Sequence, residues 1–175
     1  MKKLIRFLGF VVLFVIVIFA MLPKKNLYYY AESLMQPHEI IISDETFHDY
    51  GLWASITQGT AYVKGIPVAQ ISKATLIPAF LYNSLEFSDV SVAKSMQQFL
   101  PGNIESLSIK GTAFYPIKWW MSGKGDFGSL KGDLNLLNRT ISLTIYPSEN
   151  FAKRYPALAK NLTQKEDYYI YESTY

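Results

Sequence analysis

An uncharged apolar run near the N-terminus constrains the fold of this chain more than any other feature. It extends over sixteen residues, from Phe7 to Leu22, and Pro23 follows it. With Leu4 and Ile5 included, and with basic flanking side chains reaching the headgroups, the segment attains the ~20 residues that a bilayer core requires. We therefore predict a transmembrane helix over residues 7–23. The residues predicted to anchor the chain in the membrane are Phe7, Leu8, Phe10, Val11, Leu13, Phe14, Ile16, Ile18, Phe19 and Leu22.

Basic residues on the two flanks of this run predict its orientation. Residues 1–6 carry Lys2, Lys3, Arg6 and the α-amine, whereas two lysines follow the run. Because Lys and Arg are in excess on the cytoplasmic side of membrane helices, residues 1–6 are predicted to form a cytoplasmic tail. The rest of the chain is then exported.

A cleaved signal peptide is the alternative interpretation of the same run, because it shares the basic start and the apolar centre. Cleavage requires small residues at two positions before the cut. Ala20 is preceded at the second of these positions by the bulky Ile18. The sequence therefore favours an uncleaved anchor.

Residues 24–37 have the pattern of a short juxtamembrane helix that ends at Pro37. Its apolar face would consist of Leu27, Ala31, Leu34 and Met35. Tyr28, Tyr29 and Tyr30 would form an interface belt, because amphipathic aromatic rings are favoured at the membrane surface. An anchored connector is the favoured interpretation, and a collar that binds a partner or lipid is the alternative.

Residues 38–175 change to the pattern of a β-rich domain, with short apolar runs between polar turns. The clearest strand is 140–146, in which Ile141, Leu143 and Ile145 share one face. In the run 68–76 the alternation is imperfect. The other predicted strands include 39–43, 52–56, 59–63, 81–92 and 167–172, and one or two helical turns are predicted over 93–100.

A helix with Ser148 as its N-cap is predicted after the strand 140–146, and Pro156 would kink or split it. We therefore expect an α+β, mainly β fold. An N-terminal transmembrane helix would precede a curved antiparallel sheet, with a short helix before the sheet and a C-terminal helix against it.

The residue types that support catalysis or metal binding are scarce. The chain has no cysteine, and its two histidines are His38 and His48. Disulfides and cysteine-ligated metals are therefore excluded. The polar segment with Asp44, Glu45, His48 and Asp49 is best interpreted as a solvated turn rather than a metal site. No serine has a Gly-x-Ser-x-Gly context, so we predict no catalytic residue, no metal site, no cofactor and no enzymatic activity.

Two further patterns point away from nucleotides and nucleic acids. The segment 123–128 matches Gly-x-Gly-x-x-Gly, but the following residues alternate like a strand instead of starting a helix. Its glycines are interpreted as a Gly-rich turn and as hairpin and bulge positions. The formal net charge is +3 without a basic block, so no nucleic-acid partner is expected.

Trp119 and Trp120 are the candidate surface for a partner or a ligand. Because adjacent strand residues point to opposite faces, at most one of the two rings can stack on a given ligand. Packing in the core and at the surface is the favoured role of the pair.

The second half of the domain resembles a known family. The run Phe114-Tyr-Pro-Ile117, the glycines of 123–128, Leu130-x-Gly132 and the alternating 141–147 are similar to the glycine-punctuated strands of the type II secretion system protein N family. That family is similar in turn to the AsmA-like envelope proteins. The resemblance implies a bacterial inner-membrane protein with one anchor and a periplasmic β-rich domain, and it brings no catalytic residues.

The first functional expectation is a non-enzymatic, inner-membrane-anchored component of a cell-envelope assembly, accessory to protein secretion. Its partners would be membrane lipid and other envelope proteins, among them a secretion complex. The alternative is a module at the inner membrane that binds or transfers lipids or other hydrophobic ligands. A filled sheet core would favour the assembly component, and an open apolar groove would favour the lipid-binding module.

Overall fold

The computed structural model describes residues 2–79, 81–97 and 100–174, and the side chains of Ala31, Leu34 and His38 lie outside this description. The helices are α1 (Lys2–Met21), α2 (Lys24–Met35), α3 (Phe151–Arg154) and α4 (Pro156–Lys160). The strands are β1 (Ile40–Ser43), β2 (Thr46–Asp49), β3 (Ala54–Val63), β4 (Ile66–Pro78), β5 (Tyr82–Val92), β6 (Asn103–Thr112), β7 (Tyr115–Gly125), β8 (Gly128–Asn135), β9 (Thr140–Pro147), β10 (Thr163–Gln164) and β11 (Tyr169–Thr174).

The helix α1 is long and apolar enough, by its length and composition, to cross a membrane. Its side chains are not buried against the rest of the described protein. It begins at Lys2, so the predicted tail 1–6 is already helical from that residue, and it ends at Met21 instead of residue 23. Pro23 precedes α2, where its missing N–H costs no helical hydrogen bond. The helix α2 ends at Met35, and a 3₁₀ turn that contains Pro37 follows it.

All eleven described strands belong to one antiparallel sheet. From β3 to β9 the strands follow one another as a meander, and β11 then pairs with β9. At the other end, β1 and β2 pair with opposite halves of β3. The chain therefore has the expected α+β, mainly β architecture, with an apolar helix before the sheet and short helices near the C-terminus.

The structure corrects several predicted element boundaries. The predicted strands 52–56 and 59–63 form one strand, β3, and the segment interpreted as a solvated turn contains the unpredicted strand β2. Residues 122–125 continue β7, and the turn comes after them, at Asp126 and Phe127. Only Lys94–Met96 of the predicted 93–100 segment is 3₁₀-helical, and residues 98 and 99 lie outside the described part.

The hydrogen-bonded register separates two chemically different faces of the sheet. Two rows define the apolar face: Ile56, Ala74, Phe87, Leu107, Gly123, Leu130, Ile145 and Tyr169, and beside them Ala54, Leu76, Leu85, Ile109, Met121, Gly132, Leu143 and Tyr171. The row between them defines the polar face: Ser55, Thr75, Glu86, Ser108, Ser122, Lys131, Thr144 and Ile170. Because side chains alternate along a strand, these rows point to opposite sides.

An irregular row crosses β3 to β6 and interrupts the alternation in all four strands. Gln58 in β3 and Asp89 in β5 have positive φ angles of 62° and 53°. On either side of this row, Ile71 and Ala74 lie three residues apart and are buried in one cluster. The apolar face therefore continues past the irregular row instead of passing to the other side of the sheet.

The short helices α3 and α4 cover the far end of the apolar face. Phe151 and Tyr155 are buried there against Phe127, Ile145 and Tyr169. Pro156 splits the predicted helix, as expected. The prediction for Ser148 is wrong, because Asn150 is the N-cap and the Ser148 hydroxyl donates a hydrogen bond to the Asp126 carbonyl at 2.6 Å. That bond ties the start of the helical segment to the β7–β8 turn.

Replacing Phe151 by alanine should destabilise the domain by about 3–5 kcal/mol, because the ring is buried among aromatic and aliphatic neighbours. Unfolding of the full-length chain in detergent, followed by circular dichroism, measures the change. Phe114→Ala is the matched control, since that ring is exposed and its loss should change stability by less than about 0.5 kcal/mol. Equal effects of the two substitutions would contradict the assignment of this cluster as the core.

Candidate functional site

A cavity of about 330 Å³ lies between α2 and the first strands of the sheet. Its wall is apolar except for Tyr28 and Glu32. The residues around it are Leu27, Tyr28, Glu32, Met35, Ile42, Phe47, Ala54, Ile56, Ile71, Ala74, Leu76, Leu85 and Phe87. The helix α2 thus lies over the apolar face without filling the space beneath it.

The apolar face continues from this cavity over β6 to β9. Leu85 and Phe87 on the cavity wall pair with Ile109 and Leu107 of β6. The side chains of this continuation are partly exposed, whereas Ala54, Ile71 and Ala74 at the cavity are buried. The partly exposed members are Leu107, Ile109, Met121, Trp119, Leu134, Ile141 and Leu143. We call this stretch the open strip, and it lies between the parts of the face that are covered by α2 and by α3–α4.

The two tryptophans of the candidate surface lie on opposite faces. Trp119 pairs with Gly111 and Leu134 and belongs to the open strip, whereas Trp120 pairs with Lys110 and Asp133 on the polar face. A Cβ atom on Gly111 would lie 2.8 Å from the indole ring of Trp119, so glycine is required for this packing. Of the two tryptophans, Trp119 alone can contact a ligand on the apolar face.

The prediction of an interface belt is wrong for Tyr28. Tyr29 and Tyr30 are exposed, but Tyr28 is 8% exposed and packs against Phe47 with ring centroids 5.9 Å apart. Its position on the sheet-facing side of α2 places the ring on the cavity wall. Its hydroxyl has no partner in hydrogen-bond geometry among the described residues, although the Glu45 carboxylate lies close enough to raise its pKa.

The surroundings of Tyr28 raise the pKa of its hydroxyl far above the ordinary value. Burial is the largest cause, and the negative charges of Glu45 and Glu32 add to it. Like an ordinary tyrosine hydroxyl, the group is protonated at physiological pH and can donate a hydrogen bond. It is a hydrogen-bond donor in a cavity wall whose other polar side chain is Glu32.

A buried lysine holds the end of α1 to the sheet. The Lys24 side chain is 0% exposed, and its Nζ lies 3.2 Å from Asp49 Oδ1. It also donates hydrogen bonds to the carbonyls of Leu22 at 3.2 Å and Ala20 at 3.5 Å. Because a buried ammonium is costly unless it is paired, these contacts fix the start of α2 next to the end of β2.

The partners of Asp49 lower the pKa of its carboxyl. The backbone N–H of Gly51 donates to Oδ1 at 2.8 Å and is the largest cause, and Lys24 adds to it. Asp49 therefore serves both the turn after β2 and the pair with Lys24. Sequence reasoning placed it in a solvated turn, because its partner lies twenty-five residues earlier in the chain.

Among the described residues, no group of three or more His, Asp or Glu side chains is arranged to hold a metal ion. Comparison with protein-family models, with curated proteins and with solved structures found no match to this chain. The resemblance to the type II secretion system protein N family stays a prediction. The site is therefore defined by its own geometry: an apolar cavity that opens along a sheet face.

Asp49→Asn should destabilise the full-length chain at pH 7 by about 1 kcal/mol, because it removes the anionic partner of the buried Lys24 ammonium, while solvent screens the Asp49 carboxylate, which is 41% exposed. The folded pKa of Asp49 is lowered, so its contribution is complete above the unfolded pKa of about 3.9 and is lost as the pH falls through the folded pKa. The difference between the two proteins should therefore shrink below about pH 4. Melting temperatures from pH 7 to pH 3 measure it.

The matched control is Glu39→Gln, which removes a pair with Lys64 in which both side chains are largely exposed. That substitution should leave the melting temperature nearly unchanged at every pH, because exposed pairs contribute little. Equal losses from both substitutions, or a loss at Asp49 that persists unchanged at pH 3, would contradict the role of the pair between Lys24 and Asp49.

Proposed function

We propose that this protein is a membrane-anchored module that binds the acyl chains of lipids on the apolar face of its sheet. The observation that carries the proposal is the open strip, which continues from an apolar cavity and is only partly covered by protein. Contiguous exposed apolar surface of this kind marks sites that bind ligands, membranes or proteins. The module holds its ligand by apolar contact and performs no chemistry on it.

The dimensions of the site support a chain-like ligand. The cavity of about 330 Å³ is at the small end of ligand pockets. From β3 to β9 the apolar face crosses seven strands, or roughly 29 Å at about 4.8 Å per strand. This exceeds half of the ~30 Å hydrocarbon thickness of a bilayer, which is the depth that one leaflet's acyl chains occupy. An acyl chain can therefore lie across the strands with one of its ends in the cavity.

The proposed cellular location of the module is based on the apolar helix α1. We place α1 in the bacterial inner membrane, as the resemblance to the type II secretion system protein N family implies. The N-terminus is in the cytoplasm in this proposal, because the basic residues Lys2, Lys3 and Arg6 precede the apolar run. The sheet is then in the periplasm. A protein that binds acyl groups at this site would hold lipid at the membrane surface or transfer it to another carrier. The AsmA-like resemblance accords with this role.

A second candidate function is a component of an envelope assembly, accessory to protein secretion, and a specific observation favours it. The two-residue strand β10 pairs only with Tyr169 and Ile170 of β11. The outer side of Tyr171–Thr174 has no strand partner among the described residues. An extended segment of another protein could pair there by strand addition.

A photo-crosslinking residue at Leu107 tests the proposed function. The full-length chain with p-benzoylphenylalanine at this position is reconstituted into vesicles of phosphatidylethanolamine and phosphatidylglycerol that contain radiolabelled phospholipid. Leu107 lies on the open strip, so irradiation should attach labelled lipid to the protein. The measured quantity is the radioactivity of the protein band on a denaturing gel.

The matched control carries the same crosslinker at Ser106, the adjacent residue of β6, which points to the opposite face and is exposed. Labelling at Leu107 should exceed labelling at Ser106 several-fold. Equal labelling at both positions, or none at Leu107, would refute lipid binding by the apolar face. In native membranes, a crosslinker at Ser173 that gives a protein adduct of one mass, together with no lipid adduct at Leu107, would favour the assembly component instead.

A further inference from the structure

Large apolar side chains are concentrated at one end of the sheet. The exposed ones at this end are Tyr50, Leu52 and Trp53 in the β2–β3 turn, Leu81 before β5, Phe114 and Tyr115 at the β6–β7 turn, and Leu136 and Leu137 after β8. We call these residues the loop tips. Phe114 is 74% exposed and Leu137 is 73% exposed, and it is the grouping of such side chains at one end of the sheet that indicates a contact surface.

The loop tips lie at about the same level along the strand direction, because the sheet is a meander. In an antiparallel meander, alternate turns lie at the same end of the strands. The turns before β3, β5, β7 and β9 therefore share one end of the sheet. Ala54, Ile109 and Gly132 belong to one hydrogen-bonded row. Tyr50 lies four residues before Ala54, Phe114 five residues after Ile109, and Leu136 four residues after Gly132.

The turns at the opposite end are polar by comparison. They contain Lys64 and Gly65 before β4, Asp126 before β8, and the segment 149–168 with its charged surface. Phe127 at that end is buried instead of exposed. The large apolar side chains exposed near this end, within the described residues, are Ile41, Ile66, Leu100 and Tyr146. The two ends of the sheet therefore differ in chemistry.

The end with the loop tips is also the end at which α1 enters the domain. The Lys24–Asp49 pair joins the residues just after α1 to the residue just before the β2–β3 turn. A Cβ atom on Gly51 in that turn would lie 4.0 Å from the Cβ of Ala20 in the last turn of α1. The loop tips thus lie beside the C-terminal end of the apolar helix.

We infer that the loop tips form a second membrane contact, which seats this end of the sheet in the surface of the bilayer that α1 crosses. Tyr and Trp rings are favoured in the headgroup region, and Leu and Phe gain by entering the hydrocarbon beneath it. The inference rests on the membrane anchoring in the proposed function and deepens it. With the loop tips in lipid, the end of the open strip that is next to them faces the hydrocarbon directly. An acyl chain can then move from the bilayer onto the open strip without crossing water.

Single cysteines test this placement, because the chain contains none of its own. Phe114→Cys, Leu137→Cys and Lys64→Cys are each labelled with the environment-sensitive dye NBD in the full-length protein. The proteins are reconstituted into vesicles of phosphatidylethanolamine and phosphatidylglycerol, and externally accessible copies are measured with aqueous iodide and with nitroxide-labelled acyl chains as quenchers. Lys64 lies in a turn at the far end and is the matched control.

Labels at residues 114 and 137 should have blue-shifted emission, be quenched by the acyl-chain nitroxide and resist iodide. The label at residue 64 should show the opposite behaviour. Iodide quenching of all three labels to the same extent would overturn the inference. If lipid still crosslinks to Leu107 in that case, the proposed function stands and only the seating is wrong; the loss of both results would remove the proposed function as well.

A charge substitution supplies a second measurement in the same protein. The double variant Phe114→Glu, Leu137→Glu should lower lipid crosslinking from position 107 several-fold, because charged groups disfavour insertion of the loop tips into the bilayer. The polar-face substitution Ser106→Glu is the control and should leave crosslinking from Leu107 unchanged. Unaltered crosslinking in the loop-tip variant, with its circular dichroism intact, would also overturn the inference.

Discussion

The structure depends on how a single sheet buries its one apolar face. Stable domains usually pack two or more layers of secondary structure around a core. Here the covering elements are short: α2 lies over the first strands, and α3 and α4 lie over the far end. The side chains between these covers stay partly exposed. The gap between these covers leaves apolar side chains of the sheet accessible.

Local patterns were sufficient to predict the fold class and many of its strands. The strands β5 and β9 have clear apolar runs and lie within a residue or two of their predicted limits. The strand β2 was missed because its four residues contain a single large apolar side chain, Phe47, among polar ones. The pair between Lys24 and Asp49 was missed because nothing local specifies a contact between a helix start and a distant strand.

The site could be predicted only in part, and β4 illustrates the reason. The imperfect alternation in 68–76 reflects the irregular row, past which Ile71 and Ala74 share a face although they are three residues apart. A strictly alternating strand would have placed them on opposite sides. The direction of each strand's apolar side chains could be inferred one strand at a time, but the continuity of the face depends on register between strands. Tyr28 was misplaced for a related reason, since the sheet that buries it is remote in sequence.

The two edges of the sheet differ in a way that limits how copies of this protein could associate. At the first edge, β1 and β2 share β3, and Glu32 of α2 accepts a hydrogen bond from the Ile42 N–H at 3.3 Å, so part of that edge is already occupied. At the other edge, the outer side of Tyr171–Thr174 is open within the described residues. Head-to-tail growth would need both edges, and the bond from Ile42 to Glu32 occupies part of the first one. Pairing through the open side of β11 alone would join β11 to β11 about a two-fold axis, an arrangement that closes at a dimer.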